Sequence, residues 1–405
     1  MKKFATLRSI LMLLAFMNPS LSFTSFDDIF GSATKVGGFI AKDLANLVSS
    51  PKVVLDKATD VGTSLLSPAK IFDASKQLIA GLPFEVLASA IHAICSQALS
   101  SNVIQPKILP DIDQMQFQLR AQCKRQSIPL LRANEMWKMA EFDPSKKVVI
   151  LATGWSTSIN DSVSIDVFAK AFRCRGDINF VAVDVARYVD TLYTWSALNT
   201  DILGKYIAEG LKFLIDVVPV KNIHLIGHSL GAHIMGAAGR QFQEMTHLRI
   251  PRITGLDPAN PCFNEGDALS GLMRGDADFV DIIHSNSNVL GKGQPMGDAD
   301  FYPGGLKPLA DGCLTVACSH ERAWQYFAET IYPDNERNFE AYRCSSLAGV
   351  EKGECRFQSA FMGYAVANDI KGNYFMMVNE NPPYGLGGSA RSAAVQENCG
   401  ACPYY

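Results

Sequence analysis

Residues 223–233 read Ile223-His224-Leu225-Ile226-Gly227-His228-Ser229-Leu230-Gly231-Ala232-His233. The segment Ile223–Ile226 has the length and apolar character of a buried strand, and Ala232 to Phe242 continues as a helix. Between them, Gly227, Ser229 and Gly231 fit the pattern G-x-S-x-G. The reason for this pattern is steric. A chain that turns sharply from strand into helix forces the central serine into a strained backbone with its hydroxyl exposed. Bulky side chains two residues to either side would collide, so both positions are glycine. The five-residue pattern alone occurs by chance; a strand before it and a helix after it make it specific.

Similar apolar runs occur on both sides. Lys147–Ala152, Ile178–Val183, Arg252–Leu256 and Phe279–Ile283 read as buried strands, and Gly372–Val378 as the last one. A helix is expected from about Asp201 to Val218, with Ile202, Tyr206, Leu211, Leu214 and Ile215 on one face. Strand–helix alternation at this spacing predicts an α/β fold with a mostly parallel central sheet covered on both faces.

A serine alone is a poor nucleophile; it needs a base, and the base needs an orienting carboxylate. On this kind of strand–helix turn, the order along the chain is serine, then aspartate or glutamate, then histidine. His233 is too close to Ser229 to fold back onto its hydroxyl, which leaves His247, His284 and His320. His284 ends a hydrophobic strand and suits a core hydrogen bond. His320, in the small-residue turn Cys318-Ser319-His320 before a helix Glu321–Thr330, is the best base. Asp257 follows a strand and lies between Gly255 and Pro258, a strand-end position facing the serine. Asp276, Asp278 and Asp281 compete for the acid's role, and their density reads as a solvated turn.

Four segments now stand in order: Gly227-His228-Ser229-Leu230-Gly231-Ala232-His233, Gly255-Leu256-Asp257-Pro258-Ala259-Asn260-Pro261, Phe279-Val280-Asp281-Ile282-Ile283-His284 and Cys318-Ser319-His320-Glu321-Arg322-Ala323. Over roughly residues 112–388 the chain resembles the pancreatic lipase family of secreted α/β-hydrolases. It is most similar to the insect members that include wasp-venom-type phospholipases A1. The resemblance implies Ser229 as nucleophile, Asp257 as triad acid and His320 as base, the same choice the residues give. One oxyanion donor is then the N–H of Leu230. The second comes from Thr153-Gly154-Trp155, where the family has His-Gly-Phe or His-Gly-Trp, so Trp155 N–H is expected to fill it. Threonine at 153 departs from the family pattern. A lost donor would cost about 2.7–4 kcal/mol of transition-state stabilisation.

In the family a disulfide-closed lid precedes the triad histidine. The corresponding pair here is Cys313 and Cys318, and the loop between them is too short to cover a cleft. By resemblance, a minimal lid goes with phospholipase A1 or ester hydrolysis without interfacial activation. Cys344 and Cys355 resemble a second family disulfide. Cys95, Cys123, Cys174, Cys262, Cys399 and Cys402 are left unassigned, and Cys399-Gly400-Ala401-Cys402 is expected to be structural rather than redox-active. The 85 residues after His320 leave no room for the family's C-terminal β-sandwich, so no colipase-type partner is expected. Of the family's calcium loop only Asp276 keeps a plausible ligand position, and calcium wants six to eight oxygens. No metal and no cofactor are expected.

The remainder concerns compartment and class. Lys2, Lys3 and Arg8 precede an apolar run Ile10–Met17 and Ser20-Leu21-Ser22, the order of a secretory signal peptide. Cleavage after Ser22 would take the formal charge from −3 to 34 − 40 = −6. The apolar run is too short to span a membrane, no other stretch reaches 18 apolar residues, and an extracellular protein without a transmembrane segment is expected. Residues 23–110 read as a helical N-terminal extension, 111–390 as the hydrolase domain and 391–405 as a C-terminal tail. Asn160-Asp161-Ser162 is the glycosylation sequon and predicts a surface loop. With 48% hydrophobic and 19% charged residues the chain is not intrinsically disordered, and 37 basic against 40 acidic residues give no footprint for nucleic acid. The expected function is hydrolysis of lipid carboxyl esters, of phospholipase A1 or triacylglycerol lipase type, on lipid at a lipid–water interface. The contrasting reading is a non-catalytic lipid-carrier or yolk-like protein on the same fold, since insect yolk proteins resemble this family but lack an intact triad.

Overall fold

Lys147–Ala152 is buried at every residue after Lys147, which explains its unbroken apolar sequence: a strand covered on both faces has no polar side. It lies inside an eleven-stranded sheet. The strands are β1 (Gln116–Ala121), β2 (Lys124–Pro129), β3 (Lys147–Ala152), β4 (Ile178–Val183), β5 (Ile223–His228), β6 (Arg252–Leu256), β7 (Phe279–Ile283), β8 (Ala299–Pro303), β9 (Glu340–Cys344), β10 (Ser359–Phe361) and β11 (Gly372–Met376). Their order across the sheet is β10-β9-β11-β8-β7-β6-β5-β3-β4-β1-β2. The seven strands from β11 to β4 are mutually parallel, and the two strands at each edge run antiparallel to their neighbours. This is the α/β-hydrolase architecture. The computed structural model describes residues 109–154, 162–185, 188, 193–263, 269–387 and 398–403. The signal-peptide and extension readings for residues 1–108, the sequon's Asn160, and Trp155 lie outside these residues.

The helices are α1 (Val163–Arg175), α2 (Tyr193–Leu198), α3 (Thr200–Leu214), α4 (Leu230–Thr246), α5 (Val316–Ile331) and α6 (Leu347–Lys352). Side chains alternate across β3. Val148, Ile150 and Ala152 join the core shared with α3 and α4, while Val149 and Leu151 join the core shared with α1 and α5. The helix expected to reach Val218 ends at Leu214. Val218 precedes Pro219, whose ring disfavours helical backbone in the residue before it. The amides of Val217 and Val218 both turn back onto the Leu214 carbonyl instead, at 3.0 and 3.1 Å.

Four of the six cysteines left unassigned in the sequence sew the C-terminal tail to the domain. Cys402 bonds Cys123 at the β1–β2 turn and Cys399 bonds Cys174 in α1, so the two halves of the C-x-x-C motif bridge to different elements. Cys313–Cys318 and Cys344–Cys355 are formed as well. Four disulfides among the described residues fit a chain that works in an oxidising compartment. Among the described residues no helix is long and apolar enough to cross a membrane.

The sheet interior also holds an ion pair. Arg252 Nε and Nη2 donate to the two oxygens of Asp281, each at 2.8 Å, and Asp281 is fully buried. Thr254 Oγ1 donates to Asp281 at 2.8 Å, and so it must accept from His224 Nε2, also 2.8 Å away. Replacing Arg252 by Met would leave a buried carboxylate without its counter-ion. The expected loss is about 3–5 kcal/mol of unfolding free energy, read as a lower urea midpoint at unchanged slope.

Candidate active site

The switch in strand order falls at β3. The chain leaves β3 for β4 on one side and returns to β5 on the other. Ligand crevices of open α/β sheets form at the carboxyl ends of the strands at such a point. Ser229 stands there, between β5 and α4, with φ 57° and ψ −124°. A Cβ on Gly227 would lie 2.3 Å from the Gly231 carbonyl oxygen, and a Cβ on Gly231 would lie 2.2 Å from that of Ala152. The second glycine is therefore demanded by the loop after β3 as well as by the turn. The Ser229 amide donates to the Leu256 carbonyl at 3.0 Å, which ties the elbow to the end of β6.

Asp257, the next residue after β6, also has positive φ, 42°, and is fully buried. Its Oδ1 accepts from the amides of Ser285 and Asn286 at 2.8 and 3.1 Å. Its Oδ2 lies 2.5 Å from His320 Nδ1. A carboxylate accepts, so Nδ1 carries the hydrogen, and the neutral ring then keeps its lone pair at Nε2, the form a general base needs. The His320 side chain is 12% exposed, enough to meet a bound substrate. Ser229 Oγ makes no hydrogen bond to the His320 ring in this conformation.

His320 does not sit in a turn before its helix. It lies inside α5, which starts four residues earlier, at Val316. The small residues read as a turn are the first helical turn, capped by Thr315 Oγ1 accepting from the Cys318 amide at 3.2 Å. Ser319 is fully buried and holds that turn in place. Its hydroxyl donates to the Ser285 carbonyl at 2.7 Å and accepts from the Ala310 amide at 2.8 Å. Ser285 thus serves both partners: its amide holds Asp257 and its carbonyl holds the helix of His320. The sequence singled out neither Ser285, Asn286 nor Ser319, because their roles depend on contacts 28 to 34 residues apart.

The competing residues are engaged elsewhere. His284 is fully buried, with Nδ1 2.6 Å from the Lys292 carbonyl and Nε2 2.9 Å from Asp300, a core role as its strand-end position implied. His247 closes α4 with left-handed backbone, φ 60°. His233 is fully buried; Nε2 donates to the Ala259 carbonyl at 2.7 Å and Nδ1 accepts from the Leu272 amide at 3.0 Å. The three aspartates at 276–281 do not form a solvated turn. Asp281 pairs with Arg252, and Asp276, 2% exposed, accepts from Arg240 Nη1 at 2.7 Å. Only Asp278 lies at the surface, paired with Arg249 at 2.9 Å. Guanidinium partners make burial of the first two carboxylates tolerable. Burial still pushes the Asp276 carboxyl up to about 6. Among the described residues no three His, Cys, Asp or Glu side chains converge on a metal position. Leu230 opens α4, so its amide has no acceptor one turn back inside the helix. Thr153 and Gly154 are buried, and Gly154 lies directly against Ser229.

Fold and site together define an α/β-hydrolase fold with a histidine–aspartate pair beside a serine on a strand–helix elbow. Residues 93–384 match the family model described as Lipase, and the chain belongs to that family. Similar curated proteins carry two kinds of name. Vitellogenin-1 of Ceratitis capitata is 37% identical over 53% of this chain and 49% of its own length. Vitellogenin-3 of Drosophila melanogaster is 35% identical over 57% and 54%. Lipoprotein lipase of Homo sapiens is 35% identical over 53% and 49%. The chain spans about half the length of the curated relatives it matches. A solved hydrolase from Thermoplasma acidophilum aligns at 16% identity with a TM-score of 0.26, over 43% of this chain and 70% of its own.

Two measurements probe this geometry. A Cβ on Gly291 would fall 2.2 to 2.3 Å from all three atoms of the Asp257 carboxyl group. Gly291→Ala should therefore lower stability by about 1–3 kcal/mol through overpacking, seen in urea unfolding. Burial holds the His233 imidazole down to about 3. The unfolded chain, with an ordinary histidine near 6.5, binds the proton that the native state refuses. Stability from this residue is complete above 6.5 and falls as pH drops from there toward 3. Relative to His233→Gln, the native protein should lose about 1.4 kcal/mol per pH unit across that window.

Proposed function

We propose that the protein is a serine hydrolase of lipid carboxyl esters. The observation that carries this reading is the Asp257–His320 pair at the carboxyl ends of the strands, beside an elbow serine. Ser229 Oγ attacks the ester carbonyl while His320 Nε2 takes its proton. Asp257 holds Nδ1–H and stabilises the imidazolium that forms. The tetrahedral oxyanion is held by the N–H groups of Leu230 and Trp155, each worth about 2.7–4 kcal/mol in such sites. Collapse expels the alcohol, protonated by His320. Water activated by the same ring then releases the fatty acid and restores Ser229.

The loop from Cys313 to Cys318, too short to fold over a cleft, supports phospholipase A1-type cleavage over triacylglycerol hydrolysis at the lipid surface. The chain is proposed to be secreted, with residues 1–22 as its address, 23–110 as a helical extension, 111–390 as the catalytic domain and 391–405 as a tail. A second reading is favoured by the vitellogenin-named relatives: a lipid-carrier or yolk-like protein without turnover. The two separate on phosphatidylcholine, a triacylglycerol emulsion and a short soluble ester, each with wild type and Ser229→Ala. Serine-dependent release of the sn-1 fatty acid from phospholipid is expected, with Ser229→Ala reduced by about 10⁶-fold in kcat. Triacylglycerol cleavage alone would overturn the phospholipase assignment and keep the triad. No turnover by folded protein on any of the three would overturn the hydrolase reading and favour the carrier.

A further inference from the structure

His228 occupies the variable position of the elbow, and the reaction above gives it no part. Its ring stacks obliquely on that of His320, with centroids 4.8 Å apart and planes tilted by 40°. Its Nε2 lies 3.0 Å from the His320 carbonyl oxygen. A carbonyl can only accept, so this nitrogen carries the hydrogen. Desolvation, with the neighbouring His320 second, pushes the His228 imidazole down to about 3, so at neutral pH it is the uncharged Nε2–H tautomer.

The other bonds that fix His320 come from the acid's side. Nδ1 is held by Asp257, and the helix turn is held through Ser319 on Ser285. None of these bonds refers to the nucleophile. The His228 bond does: it starts at the residue joined by a peptide to Ser229 and ends on the main chain of the proposed base. In a regular helix the His320 carbonyl also receives the amide four residues on, so His228 takes its second lone pair.

We propose that His228 is a positioning residue whose Nε2–H···O=C bond joins the nucleophile's strand to the base's helix and sets the reach from Ser229 Oγ to His320 Nε2. This rests on the hydrolase reading of the same site. Misplacement of reacting groups by about 1 Å can cost about a hundredfold in rate, so the bond belongs in kcat rather than in substrate affinity.

The test uses the full chain and a short soluble ester. Phenylalanine at 228 keeps a ring and loses the donor; glutamine returns a donor near the place of Nε2. His228→Phe should lower kcat about ten- to a hundredfold at unchanged KM, and His228→Gln should recover most of it. His228→Met serves as the donor-free variant if the phenyl ring prevents folding, which thermal melts will show. Equal kcat in wild type and the donor-free variant overturns the proposal. So does a change confined to KM, or no recovery with glutamine. Absence of Ser229-dependent turnover in wild type overturns the hydrolase reading instead. The positioning role is then read from the histidine ¹⁵N spectrum, where the His320 Nδ1–H resonance should persist in His228→Gln and shift or vanish in the donor-free variant. An unchanged resonance in all three proteins rejects it.

Discussion

The backbone of Ser229 is the constraint on which the top of this sheet depends. A non-glycine residue at φ 57° and ψ −124° costs of order 1–3 kcal/mol and persists only where its surroundings over-determine it. Here they do so by crowding. Gly227 and Gly231 close on each other, Gly231 lies against the loop after β3, and a Cβ on Gly154 would stand 2.5 Å from that of Ser229. The Ser229 amide is bonded to the end of β6 and its carbonyl receives the Ala232 amide at 3.1 Å. Nothing in that arrangement can relax without moving a strand. The hydroxyl is therefore held at one place at the strand ends, and the remaining groups are arranged around it.

The histidine–aspartate pair shows how a buried charge is kept in such a place. Asp257 is shut away from water, and an isolated buried carboxylate would neutralise. Two backbone amides and one imidazole N–H satisfy its oxygens. The segment that provides the amides, Ser285–Asn286, is itself held at both ends. Its neighbour His284 is bonded to Asp300 in β8, and its own carbonyl is bonded to Ser319 in α5. Gly291 then closes over the carboxylate with no room for a side chain. Asp257, His320 and the loop between them form one hydrogen-bonded unit assembled from β6, β7, β8 and α5.

This scaffold is shared by relatives named lipase and relatives named vitellogenin, and a fold does not by itself choose between catalysis and binding. What bears on that choice in this chain is the set of groups at the strand ends. Serine, aspartate and histidine are all present, and the last two are paired. The disulfides of Cys399 and Cys402 fasten the tail to α1 and to the β1–β2 turn. They close loops of 225 and 279 residues, the kind of long-range closure that removes most freedom from an unfolded chain.

Local pattern carried the parallel strands and the elbow, because both are written in adjacent residues. A strand buried on both faces must be an apolar run, and a sharp strand–helix turn must place glycines two residues either side of its serine. Asp257 and His320 were also legible, since chain order and flanking motifs mark them. The sequence misread elements whose character depends on distant partners. Asp276 and Asp281 look like a solvated turn until Arg240 and Arg252 arrive from other elements to bury them. Cys318-Ser319-His320 looks like a loop until Thr315 caps it and Ser319 anchors it, making it the start of α5. The partners of Cys399 and Cys402, the amides of Ser285 and Asn286, and the bond from His228 to His320 have no local signature at all. Adjacent residues determined which backbone conformations this chain could take. Only tertiary packing, which brings together groups far apart in sequence, decided which polar atoms would meet.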